Sequence, residues 1–207
     1  MKVRLAEALH QHLPAMKVHL LVVRAVKLEV LRYFQVEPPA LDPERVETLI
    51  VRWRALYRPW LGEAAEAGAM ESLLRCVMNQ RFVAEWPLID MARYASLLSC
   101  SPISAYALET LHDGLTLDVV PEELRVPAWL DGRGQTVSRV VGAAPHEANR
   151  LRASTNHIVF IGEQPDTSFP SPERGMRYLQ ATLGPLCDSL QGGLLDLAHG
   201  PREFDAI

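Results

Sequence analysis

The sequence predicts an α+β fold: a single compact domain with a mixed β-sheet core flanked by helices. Three observations lead there. Short apolar, β-branched runs occur in the first quarter, the middle and the last third of the chain. Between them lie longer stretches with helical spacing, in no regular alternation with the strands. No internal repeat and no linker-like segment divides the 207 residues, which suffice to bury about 70% of the surface of the unfolded chain.

The elements follow in order. Residues 3–12 have helical spacing, with Leu5, Ala8, Leu9 and His12 on one side, and Pro14 ends them. Residues 18–26 are apolar and β-branched, the pattern of a central strand. Three prolines make residues 35–43 a loop. Asp42 is the expected N-cap of the next helix, with Pro43 at its first position. That helix runs to about Tyr57 with Val46, Leu49, Ile50, Trp53 and Leu56 on one face, until Pro59 and Gly62 break it. A second helix covers 65–78, with Met70, Leu73, Leu74 and Val77 inward. A third covers 88–98 after Pro87. Cys100, Ser101 and Pro102 form a turn, and 104–111 is partly helical. Asp113-Gly114 turns the chain into a strand at 115–120. Weaker strands are expected at 126–130 and 136–141, and a buried one at 157–162. Residues 164–172 are a proline-rich loop. A final helix runs from Pro172 to about Leu190, capped by Gly192 and Gly193, and the tail after Gly200 is frayed.

Composition excludes several classes of function. Apolar residues make up 48% and charged residues 22%, so the chain is neither disordered nor a coiled-coil rod. The net charge is −4, which argues against coating nucleic acid through bulk charge. Cys76, Cys100 and Cys187 are too few and too scattered for a disulfide framework or a zinc knuckle, and are expected as buried thiols. The N-terminus is too polar for a signal peptide, and the apolar run at 19–26 is interrupted by Arg24 and too short to span a bilayer. A cytoplasmic protein without a membrane association is expected. There is no glycine-rich phosphate loop, dinucleotide fingerprint or G-x-S-x-G elbow. His10 and His12 diverge on a helix, and no histidine pair has zinc-binding spacing. Neither a metal nor another cofactor is expected.

Four stretches carry a family resemblance: LAEALHQHLPAMKVHLLVVRAV, IVRWRALYRPW, PLIDMARYASLLSCSPISAYALETLHDGLTLDVV and STNHIVFIGEQPD. In this order and spacing the chain resembles the B3/B4 family, comprising the editing domain of the bacterial phenylalanyl-tRNA synthetase beta subunit and the free-standing proteins built from it. The resemblance implies one B3/B4-like domain over 1–207. Its N-terminal strand and helices would occupy 1–80 and its editing-like core 81–193. It also implies hydrolysis of a mischarged aminoacyl-tRNA, or of a related aminoacyl compound, as a second sieve. The family's glutamate that reads the extra hydroxyl falls on Glu147, and its strand threonine on Thr155. Other family positions differ here. The asparagine of the D-x-x-N helix falls on Arg93, the histidine of the P-x-H-A-x-D turn on Ser104, the aspartate there on Ala107, and a following arginine on Asp118.

Hydrolysing an activated ester needs a placed water and donors for the oxyanion, without a covalent nucleophile. Glu147, Thr155 and His146 are the candidate catalytic residues. Ser104, Arg93, Asn156 and the backbone of Gly142 and Ala143 are candidates for substrate binding. Each also has an ordinary role: Thr155 as an edge hydroxyl, Ser104 as an N-cap, Arg93 as the partner of Asp90 at i, i+3. The arginines at 125, 133, 139, 150 and 152 are the one concentration that could meet an RNA backbone, but Glu122, Glu123 and Asp131 interleave with them, and an ordinary solvated surface is the favoured reading. The expected partner is the acceptor end of an aminoacyl-tRNA or a small aminoacyl compound, bound weakly and salt-sensitively. The altered pocket positions favour a second reading, a non-catalytic protein that binds an amino-acid-like ligand or a protein partner of a biosynthetic pathway.

Overall fold

The computed structural model describes residues 1–61, 68–120, 126–139 and 146–206. Its strands are β1 (Lys2–Leu5), β2 (Lys17–Arg24), β3 (Ile103–Ala107), β4 (Gly114–Val120), β5 (Val126–Asp131), β6 (Thr136–Arg139), β7 (Ile158–Gln164), β8 (Ser189–Asp196) and β9 (Glu203–Asp205). Its helices are α1 (Leu28–Leu31), α2 (Pro43–Leu61), α3 (Ala69–Met78), α4 (Pro87–Ser99) and α5 (Glu173–Leu183). The strands form two sheets, ordered β6-β5-β4-β1-β9 and β3-β7-β2-β8. The first is mixed, because β1 runs parallel to β4, while all pairings of the second are antiparallel.

β2 is apolar on both faces because both are covered. Val18, Leu20 and Val22 point toward the first sheet, and Leu21 and Val23 toward the helices. The same parity holds on β7, with Val159 and Ile161 on the inter-sheet side and Ile158 and Phe160 on the other. One core therefore fills the space between the sheets, closed on a flank by Val46, Ile50, Trp53 and Tyr57 of α2 and Met70 and Leu74 of α3. A second core lies between the β3-β7-β2-β8 sheet and the α4–α5 pair, built on Leu88, Met91, Ala95, Met176, Leu179 and Leu183. The architecture is α+β in a single domain.

Most central elements match the sequence reading. β2, β4, β5 and β7 lie where the apolar runs predict them. The N-cap at Asp42 is realised, its Oδ1 accepting the Glu44 N–H at 3.1 Å. α2 continues past Pro59 to Leu61, since a proline in the last turn disturbs few intrahelical bonds. The ends of the neighbouring segments at 62–67, 121–125, 140–145 and 207 lie outside the described residues.

The terminal regions require correction. The expected helix at 3–12 is strand β1 followed by a 3-10 turn at Glu7–Gln11. Residues 2–5 also alternate, with Val3 and Leu5 inward and Arg4 outward, and pairing with β4 and β9 selects the strand. The segment expected to be partly helical at 104–111 divides: 103–107 is strand β3, because its backbone pairs with β7, and Leu108–Thr110 is a 3-10 turn. The last helix stops at Leu183. Gly192 and Gly193 are not its cap but central residues of β8, opposite Leu21 and Leu20 of β2. A side chain at Gly193 would collide with the Phe204 ring. The tail is not frayed: β9 pairs with β1, and Glu203 bridges to Lys2 at 2.7 Å and Arg4 at 2.6 Å. The Met1 ammonium donates to the Ala206 carbonyl at 2.8 Å. Of the thiols, Cys100 is buried, while Cys76 and Cys187 are half-buried, and all three are free.

Candidate functional site

The two sheets end together at one edge of the molecule, where a cleft of about 390 Å³ opens. The last residue of β2, Arg24, forms one wall. Leu108 and Leu111, from the turn after β3, form another. The start of β1 and the end of β9 bring Lys2 and Asp205 to its rim. Asp113 enters from the turn before β4. That turn is fixed by backbone geometry: Asp113 has φ of 62° and Gly114 of 138°. A Cβ at Gly114 would strike the Lys2 carbonyl, so only glycine lets β1 and β4 start in register here.

The cleft carries both signs of charge. Lys2 is paired with Glu203. Arg24 is half-buried and, among the described residues, its guanidinium has no carboxylate or carbonyl partner. Asp113 and Asp205 are exposed, with no cation paired to either carboxylate among the described residues. A volume of this size falls in the range of small-ligand sites.

Among the described residues, none of the candidate site residues singled out in the sequence lines this cleft, but the segment that carries several of them is hydrogen-bonded to residues in or beside its walls. The segment from Glu147 to His157 is stitched to both walls. The Val26 N–H donates to the Asn156 carbonyl at 2.9 Å, and the Ala25 N–H donates to His157 Nδ1 at 3.2 Å. On the other wall, the Leu108 N–H donates to the His157 carbonyl at 2.9 Å. Asn149 Nδ2 donates to Thr110 Oγ1 at 3.1 Å. Glu147 sits exposed on the 3-10 turn Glu147–Asn149, with His146 exposed just before it. The His146 N–H is anchored on the Val137 carbonyl at 2.8 Å.

Thr155 is buried. Its Oγ1 accepts the Arg152 N–H at 2.9 Å, and its own N–H donates to the Arg152 carbonyl at 2.9 Å. That reciprocal pair closes the turn leading into β7, so the hydroxyl shapes the segment that carries Glu147 and Asn156.

Ser104 and Arg93 lie elsewhere. Ser104 is on β3, pointing with Tyr106 to the inter-sheet side. The two hydroxyls hydrogen-bond, and Tyr106 Oη also pairs with Ser138 Oγ at 3.0 Å. Burial pushes the Tyr106 phenol well above its ordinary pKa, and the nearby Glu163 carboxylate adds to this. Arg93 is on the outer face of α4. It bridges Glu85 at 3.0 Å and Asp90 at 3.4 Å, donates to the Val83 carbonyl at 3.1 Å, and lies over the Phe82 ring at 5.3 Å. Gly142, Ala143 and Arg125 lie outside the described residues.

Sequence reasoning missed Arg24, Asp113 and Asp205. Arg24 reads as an interruption of an apolar strand and Asp113 as a turn residue. Only the convergence of strand ends turns them into one site. Among the described residues no group of three His, Cys, Asp or Glu side chains is placed to hold a metal ion. No helix among them is long and apolar enough to cross a membrane.

No protein-family model matches the chain, and no curated protein matches it. Among solved structures, the crystal structure of an N-terminal fragment of the phenylalanyl-tRNA synthetase beta-subunit from Pyrococcus horikoshii aligns over 93% of this chain, with 10% identity and a TM-score of 0.39. The alignment covers 49% of that fragment, so the chain spans about half its length. The likeness is weak.

Proposed function

We propose that the chain is a free-standing B3/B4-like protein that binds an aminoacyl group in the cleft at the sheet ends and hydrolyses its ester, with the acceptor end of a mischarged tRNA as the substrate class. The observation that carries this reading is the presence of both signs of charge in one cleft, lined by the Arg24 guanidinium and the Asp113 and Asp205 carboxylates. An aminoacyl ester presents an α-ammonium group at one end and the phosphates of its carrier at the other. The carboxylates suit the first and the guanidinium the second. The order of the four sequence stretches supports the family assignment, with 81–193 as the editing-like core.

In this reading, water attacks the ester carbonyl carbon, the bond to the ribose oxygen breaks, and the ribose oxygen takes a proton. Glu147, carried on the segment tied to both cleft walls, is the candidate to orient that water. Asn156 lies on the same segment, and His146 is the candidate to relay the proton. The test is incubation with a panel of aminoacylated tRNAs and small aminoacyl esters. Deacylation of at least one above the spontaneous rate, lost in Arg24→Ala and Asp113→Asn, is expected. Equal rates with and without protein across the panel would refute hydrolysis.

One observation favours a second reading, a non-catalytic binder of amino-acid-like ligands. The Thr155 hydroxyl is committed to its turn and Arg93 to Glu85 and Asp90. Saturable binding of an aminoacyl compound at the same cleft, with no turnover, would select this reading.

A further inference from the structure

We propose that a second cleft, between the first turns of α2 and the loop at 165–172, is a binding site for a phosphate ester. It is independent of the aminoacyl reading and lies among different residues. The cleft has a volume of about 450 Å³ and is lined by Arg45, Thr48, Arg52, Thr167, Ser168 and Phe169, with Leu49 and Pro170 completing it. Positions 45, 48 and 52 share one helical face. Arg45 and Arg52 therefore stand two turns apart, about 10.5 Å along the axis, and overlook the same space.

The geometry is built before any ligand arrives. Arg52 Nη1 donates to the Ser168 carbonyl at 2.6 Å, which fixes the guanidinium and leaves most of its N–H groups for another acceptor. The facing loop is itself braced. Asp166 Oδ1 accepts the Ser168 N–H at 2.6 Å, and Gln164 Nε2 donates to the Phe169 carbonyl at 2.8 Å. The Phe169 ring packs 4.7 Å from Trp53 in the core. The hydroxyls of Thr167 and Ser168 thus stand on a rigid support. Thr48 contributes less, because its hydroxyl proton is given to the Glu44 carbonyl at 2.9 Å.

Charge selects the ligand class. The lining holds two guanidinium groups and no carboxylate, in contrast to the mixed charges of the first cleft. The nearest carboxylate on the loop, Asp166, is engaged by the Ser168 N–H. Two planar guanidinium forks in one cleft with the hydroxyl-bearing Thr167 and Ser168 match the tetrahedral oxygens of phosphate better than a single carboxylate. The apolar surface of Leu49, Phe169 and Pro170 leaves room for a sugar or base beside it.

The test is calorimetric titration of the full chain with inorganic pyrophosphate, adenosine diphosphate and a short RNA hairpin, with acetate as the control anion. Saturable binding of at least one phosphate probe is expected, weakening as salt rises. Arg45→Ala and Arg52→Gln should each weaken it at least tenfold, with circular-dichroism melting verifying that both variants fold. Arg45 is exposed, so Arg45→Ala keeps the test valid even if Arg52→Gln loosens the loop. Binding of the small probes assigns the site to a small phosphate ester, and binding of the hairpin alone assigns it to a polynucleotide backbone. No saturable binding of any phosphate probe, binding no stronger than acetate, or unchanged binding in folded Arg45→Ala would overturn the proposal. Hydrolysis of a small aminoacyl ester is expected to be unchanged in Arg45→Ala, so the two sites fail or stand separately.

Discussion

The indole N–H of Trp129 donates a 2.7 Å hydrogen bond to the carboxylate of Glu163, joining β5 of one sheet to β7 of the other in the middle of the inter-sheet core. Both residues are at most 1% exposed. The phenols of Tyr57 and Tyr106 lie in the field of the same carboxylate, and burial, reinforced by that field, holds both in the protonated form far above neutral pH. Two apolar sheet faces can slide over each other at little cost. A buried, directional bond fixes one relative position.

Trp129→Phe is therefore expected to destabilise the fold by about 1–3 kcal/mol through the lost donor alone, since a buried, charge-assisted hydrogen bond is removed. Urea unfolding of the wild type and the variant measures this. A change below about 0.5 kcal/mol would show that the bond contributes little, in the range of an ordinary surface substitution.

α4 and α5 meet at Gly175, where an added Cβ would collide with the Ala95 carbonyl and the Ile103 side chain. Backbone cannot yield as a flexible side chain can. Gly175→Ala is expected to lower stability by about 1–3 kcal/mol, as overpacking does, despite the better helix propensity of alanine. A thermal melt with an unchanged or raised midpoint would contradict the close approach.

Glu71 of α3 is 1% exposed and accepts from Arg54 Nε at 2.8 Å, Arg54 Nη2 at 2.6 Å and Arg75 Nε at 2.7 Å. Desolvation pushes its pKa up, but the hydrogen bonds and charges of the two arginines outweigh it and hold the carboxyl below its ordinary value. The unfolded chain then binds the proton more readily. The stabilisation is complete above the ordinary carboxylate pKa and is lost as pH falls through the lowered folded value. Urea stability is expected to drop on that acid side, and Glu71→Gln to flatten the slope there.

His19 of β2 acts in a higher pH window. Burial lowers its pKa from 6.5; Glu173 opposes this and Lys17 adds to it. The folded state holds the ring neutral, so the stabilisation is present above the ordinary histidine pKa and declines as pH falls through the lowered value. His19→Gln is expected to reduce the slope of stability against pH just below 6.5 without altering the slope in the carboxylate range.

At the sheet-end cleft, Arg24→Ala is expected to weaken binding of an aminoacyl ligand at least tenfold while leaving the melting temperature within a degree or two, because Arg24 makes no side-chain hydrogen bond among the described residues. Equilibrium titration beside a thermal melt separates the two effects. Unchanged affinity would remove Arg24 from the site.

How much was legible in advance varies by region. β2 and β7 are readable from local pattern because both their faces are buried, which leaves a continuous apolar run. The cap at Asp42-Pro43 is readable because capping is a contact between near neighbours. The 147–157 segment was singled out for its side chains, whereas its backbone bracing of two strand ends was not legible, since Val26, Leu108 and Thr110 are distant in sequence. Thr155 shows the same limit: its chemistry suits a pocket, and its position commits it to a turn.

The sequence by itself determined the α+β class, the central strands and the amphipathic helices, because hydrophobic periodicity and capping act over a few residues. Only the tertiary structure decided the termini and the sites. Residues 2–5 carry a helical and a strand pattern at once, and pairing with β4 and β9 chooses between them. Gly192-Gly193 reads as a helix end until β2 supplies a partner for the backbone. Arg24, Asp113 and Asp205 become one cleft, and Arg45, Arg52 and Ser168 another, only when strands, helix and loop separated by long stretches of chain are brought side by side. Such encounters are set by which apolar faces bury together, and no local spacing records them.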